Sequence, residues 1–106
     1  MTGNRYLAEA PSAFAGEALT VAGTAVGFTA ATYAPSGGSA AQGVSLTLEG
    51  GQIRYRYDGT APTATVGHVM NPGDVLVIEG GANVAQFQAI RTGGVSGTLH
   101  ATFLRQ

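Results

Sequence analysis

Residues 53–74 read IRYRYDGTAPTATVGHVMNPGD. Its first five residues alternate. Ile53, Tyr55 and Tyr57 point one way, Arg54 and Arg56 the other, which is the period of a half-buried strand. Turn chemistry follows. Asp58 favours a local side-chain turn, Gly59 supplies positive φ and Pro62 stops further pairing. Asn71-Pro72-Gly73-Asp74 is a second turn that feeds another strand. The polar side chains of this stretch therefore belong to a strand and two turns, and they need no catalytic explanation.

The same period runs outward from it. In GVSLTLEG (43–50), Val44, Leu46 and Leu48 oppose Ser45, Thr47 and Glu49. In GTLHATFLRQ (97–106), Leu99, Ala101 and Phe103 oppose His100, Thr102 and Leu104. DVLVIEG (74–80) is apolar on both faces and reads as a central or doubly covered strand. Residues 25–33 and 84–91 read as weaker strands, and 17–21 as a possible first one. Glycine-rich turns separate these runs, and no window of helical length keeps a 3.6-residue stripe. The expected fold class is all-β: a single antiparallel β-sandwich of about seven to eight short strands. Residues 44–51 and 75–81 echo each other as strand followed by Glu-Gly-Gly, which two hairpins of like turn chemistry explain.

Residues 1–16 hold Ala, Gly, Pro and Ser with little alternation. They read either as a frayed terminus or as an N-terminal arm that orders on a neighbour, ahead of a sandwich domain spanning 17–106. Tyr6, Leu7 and Phe14 would be odd in a purely solvated tail, which favours the arm. The start lacks the apolar stretch of a signal peptide, which implies synthesis in the cytosol. No apolar run approaches the ~20 residues that span a bilayer.

Charge is scarce. Asp, Glu, Lys and Arg make up 10% of the 106 residues, and the net charge is -1. An average domain carries about 25%. The chain has no lysine and no cysteine; its fixed cations are five scattered arginines. No basic stripe marks it for nucleic acid or an anionic membrane. Disulfides and cysteine–zinc sites are excluded.

Nothing in the sequence assembles into a catalytic or metal motif. His68 and His100 stand in no metal-ligand spacing. Ser96 lacks a nucleophile-elbow pattern. The six carboxylates are scattered, several of them at turns. No enzyme activity, cofactor or metal is expected. Arg54 and Arg56, roughly 7 Å apart on one strand face, read either as a solvated face or as a pair that grips a partner's carboxylate. Tyr55 and Tyr57 read as aromatic core with polar tips, or as a sugar-stacking platform.

The charge deficit points to assembly. Lysine commonly guards the edge strands of an open β fold, and this chain has none. Its outward strand positions are mostly Thr, Ser, Gln, Ala and Gly. Such neutral surfaces cost little to desolvate. Cover by copies of itself or by a partner lattice is expected, with closure into a cyclic homo-oligomer; the alternative is a neutral, slightly sticky monomer. The partner-interface residues it suggests are Tyr6, Leu7, Phe14, Arg54 and Arg56.

Several segments resemble small virion structural proteins of tailed bacteriophages. They are I-R-Y-R (53–56), D-G-T-x-P-T (58–63), the G-H-x-x-x-x-G-D turn (67–74), F-x-A-I-R (87–91) and L-H-A-T-F (99–103). The likeness covers roughly residues 44–104. It implies a non-catalytic β-sandwich built into the virion in many copies, with the major capsid protein or other virion proteins as partners. A capsid cement or decoration protein fits one compact domain with an arm. The alternatives are a tail, neck or fibre-associated virion protein, or a carbohydrate-binding module, since D-G-T-x-P-T also occurs in β-sandwich modules of sugar-active enzymes.

Overall fold

A computed structural model describes residues 11–106. The elements in chain order are β1 (Ser12–Val21), α1 (Ala30–Tyr33), β2 (Gly43–Gly50), β3 (Ile53–Arg56), β4 (His68–Met70), β5 (Val75–Glu79), α2 (Gly81–Gln86), β6 (Gln88–Arg91) and β7 (Gly97–Arg105). They form two antiparallel sheets. One has the order β1-β7-β2-β5, the other β4-β3-β6. The fold is a small all-β sandwich.

Alternation places the core between the sheets. Val44, Leu46 and Leu48 from β2 meet Leu99, Ala101 and Phe103 from β7, Leu19 and Val21 from β1, and Ile53 from β3. Each fully buried Leu, Val or Phe side chain contributes about 1.5–3 kcal/mol through its removal from water. No charged or polar side chain is buried among the described residues. The aromatic rings form a column inside this core. Phe28 stacks on Phe87 with centroids 4.7 Å apart, and Phe103 meets Phe28 edge-on at 5.3 Å. Phe87 stacks in turn on Tyr55 at 5.7 Å.

Two glycines let the chain pass between sheets. Gly51, between β2 and β3, lies against the backbone of Val95. Gly97, which opens β7, lies against Gly51 and the side chains of Leu48 and Ile53. A β-carbon at either would collide with backbone.

Several elements differ from the sequence reading. Residues 25–33 hold only an isolated bridge between Val26 and Ala89, followed by the helical turn α1. The Glu17 carboxylate accepts hydrogen bonds from the Thr29 N–H (3.1 Å) and hydroxyl (2.8 Å), which fixes the start of that turn. The first half of 84–91 is α2, in which Ala and Gln favour helix, and Val84 is buried. β4 is a three-residue strand where a turn was expected. Residues 12–16, assigned to the arm, belong to β1 and pair with β7 through a register shift between Ala13 and Ala15. β5 is an edge strand and not a central one. Leu76 and Ile78 turn towards the core while Val75 and Val77 are exposed.

Candidate functional site

Strand register assembles one surface from residues far apart in sequence. Across the outward face of the four-stranded sheet, one row runs Gly16, Thr102, Ser45, Val77. The next runs Ala18, His100, Thr47, Val75, and the third Thr20, Thr98, Glu49. A fourth row on the other side of the first runs Ala13, Leu104, Gly43, Glu79. The fixed charges of the face are therefore Glu79 at one corner and Glu49 at the other end. Glu49 is bonded diagonally to His100, with 2.6 Å between carboxylate oxygen and Nε2. The remainder is glycine, alanine, serine, threonine, valine and leucine, on a surface about 14 Å wide from three inter-strand spacings.

The valine end of this face is also an open sheet edge. Antiparallel ladders alternate between pairs that exchange hydrogen bonds and pairs that do not. The Gly80 N–H donates to the Gln42 carbonyl (2.7 Å), and the Leu48 N–H to the Asp74 carbonyl (3.3 Å). That parity turns Gly80, Ile78, Leu76 and Asp74 towards β2. It turns the N–H and C=O groups of Val75 and Val77 away from it. No strand among the described residues pairs with β5 on that side. Val75 is 68% exposed and Val77 55%. Lysine, proline or a bulge usually blunts such an edge; none is present in β5, whose one charged residue, Glu79, stands at its last position.

No protein-family model, curated protein or solved structure matches the chain.

The five residues suggested for the interface fall in different places. Tyr6 and Leu7 lie outside the described residues. Phe14 sits in β1, half-buried against the core, with the Arg105 guanidinium 4.0 Å from its ring centroid. That contact is a cation–π pair within the chain. Arg54 donates to the Ala64 carbonyl (3.1 Å) and the Gly67 carbonyl (2.8 Å), so it ties the long loop after β3 back onto the strand. Arg56 forms a two-bond fork with Asp58, at 3.3 and 2.6 Å. The bond from Arg56, together with the Thr60 N–H, holds the Asp58 carboxyl below the usual aspartate range. Both arginines are thus engaged within their own chain.

Sequence reasoning missed the outward valines of β5. Their signal was present as Val75 and Val77 in alternation with Leu76 and Ile78, but strand order alone decides whether such residues are covered. Among the described residues, no group of three or more His, Asp or Glu is placed to hold a metal ion, and no helix is long and apolar enough to cross a membrane.

Proposed function

We propose that this chain is a non-enzymatic structural subunit that works by being covered: a virion protein of a tailed phage, of the capsid cement or decoration type. The observation that carries the reading is the outward face of the four-stranded sheet, with two fixed charges at its ends and exposed valines along its open β5 edge. A soluble monomer normally carries about 25–35% charged residues on its surface. A flat face of small neutral side chains packs closely against a neighbour and loses little hydration in doing so. The phage assignment rests on the resemblance of its sequence segments to small virion proteins.

In this reading copies of the chain contact one another and the major capsid protein through that face. Each contact is weak. Repetition over a particle raises the effective concentration at every site, and the contacts together resist rupture. The test is to compare particles with and without the chain. Mass spectrometry should find it in purified virions, and particles assembled without it should rupture at lower temperature. Particles of unchanged stability would overturn the cement role.

A further inference from the structure

The stacked rings of the core continue to the surface. Phe28 lies on Phe87 at an interplanar angle of 15°, Phe87 on Tyr55 at 22°, and Tyr55 on Tyr57 at 18°. Tyr57 ends the column and is 39% exposed. His68 flanks it, 6.1 Å from Tyr57 and 5.2 Å from Tyr55, because β3–β4 pairing sets Tyr55 opposite His68. Beside this end lies an open cleft of about 480 Å³ lined by Arg56, Tyr57, Asp58, Gly67 and His68.

Three properties of the cleft define what it would hold. First, its aromatic platform is pre-organised. An exposed tyrosine normally loses rotamer freedom when a ligand stacks on it, and a ring already held by a column loses less. Second, its polar wall is an ion pair of zero net charge. Arg56 is committed to Asp58, so no uncompensated cation is left to draw a phosphate or an acidic sugar. Third, that pair sets donor and acceptor side by side. Arg56 Nη1 takes no part in the fork, and Asp58 Oδ2, which accepts one bond from Arg56, can accept another, whereas Oδ1 already accepts from Arg56 Nε and the Thr60 N–H. Adjacent donor and acceptor match two neighbouring hydroxyl groups, each of which both donates and accepts.

We propose that this cleft binds a neutral pyranose unit of a saccharide, one sugar face stacked on Tyr57 and two adjacent hydroxyls on the Arg56–Asp58 fork. The inference does not depend on the assembly role. The lining residues lie in β3, β4 and the loop between them, and none belongs to the outward face of the four-stranded sheet. Copies docked through that face would keep the cleft residues out of the contact.

The test is a titration of the full chain, followed by 1H–15N NMR, with neutral hexasaccharides of glucose, galactose, mannose and N-acetylglucosamine. Saturable shifts centred on Arg56, Tyr57, Asp58, Gly67 and His68 are expected with at least one of them. Tyr57→Ala should weaken that binding about tenfold or more, while Tyr57→Phe keeps it within about threefold. Arg56→Gln, an exposed change that leaves the column intact, should also weaken it about tenfold. It carries the test if Tyr57→Ala fails to fold. No saturable shift with any of the four sugars would overturn the proposal, as would shifts centred elsewhere or undiminished binding to Tyr57→Ala. Tighter binding of adenosine at the same residues would overturn the sugar assignment in favour of a flat heterocycle.

Discussion

Gly51 lies so close to Val95 that a β-carbon on the glycine would come within 3.0 Å of the valine carbonyl oxygen. This contact stands where the chain leaves the four-stranded sheet for the three-stranded one. Its second support is the Gly51 N–H, which donates to the Ser96 carbonyl at 3.1 Å. The obstacle is backbone, which cannot swing aside as a side chain can. Gly51→Ala should therefore destabilise the fold by about 3 kcal/mol, the upper range for overpacking. Gly93→Ala is the control. Nothing lies within 4 Å of its added carbon and its φ is outside the left-handed region. It should leave stability within about 0.5 kcal/mol or raise it slightly. Urea denaturation of the two variants checks the contrast.

Arg54 anchors the loop between β3 and β4 by donating to two carbonyls in it. Arg54→Ala should cost about 1–2 kcal/mol, because hydrogen bonds from a charged group are lost while the carbonyls regain water. Amide exchange should accelerate in residues 60–67 before it does so in β2 or β7. Arg54→Lys should recover only part of the loss, since an ammonium cannot span both carbonyls as a planar guanidinium does.

The Arg56–Asp58 fork gives a pH dependence of known sign. Bonds to Arg56 and the Thr60 N–H lower the folded pKa of Asp58 below that of an unfolded aspartate, about 3.9. Its contribution to stability is therefore complete above that unfolded value and is lost as pH falls through the lower folded value. Carboxyl 13C NMR should place the Asp58 midpoint below the ordinary aspartate range. Arg56→Gln should move the midpoint upward. An Asp58 that titrates identically in both proteins would show that the fork does not persist in solution.

The open β5 edge predicts a separation of folding from assembly. Val75 and Val77 are both exposed, so replacing them with lysine should change stability by no more than about 1 kcal/mol. The same double change places two charges on the edge and on the neutral face. It should abolish incorporation into particles. Thermal melting of the free protein and its recovery in purified particles give the two readouts.

The parts of this fold that could be read from sequence are those fixed by period 2. The inward sets of β2 and β7, and the shared face of Tyr55 and Tyr57, follow from alternation alone. β5 was misread because its alternation is between two kinds of apolar residue. A strand with valine on its outer face has the same sequence signature whether it lies at the centre or the edge. The helices α1 and α2 span four and six residues, too short to show a 3.6-residue stripe, and both lie in segments with strand-like composition. The anchors of Arg54 were hidden for a different reason. They are carbonyls 10 and 13 residues away, and any residue type presents a carbonyl. The meeting of Tyr57 with His68 likewise depends on β3–β4 pairing across a long loop, which turn signals do not specify.

Under the proposed structural role, the outward face of the four-stranded sheet is covered in the particle. The chain has no cysteine, so Thr47→Cys places a single thiol in an inner row of that face, between His100 and Val75. Thr60→Cys, on the exposed loop between β3 and β4, is the reference. Maleimide labelling of each variant in intact virions, read on this chain by mass spectrometry, measures the cover directly. The Thr47→Cys thiol should react at least about tenfold more slowly than the Thr60→Cys thiol. Equal labelling of the two would contradict it.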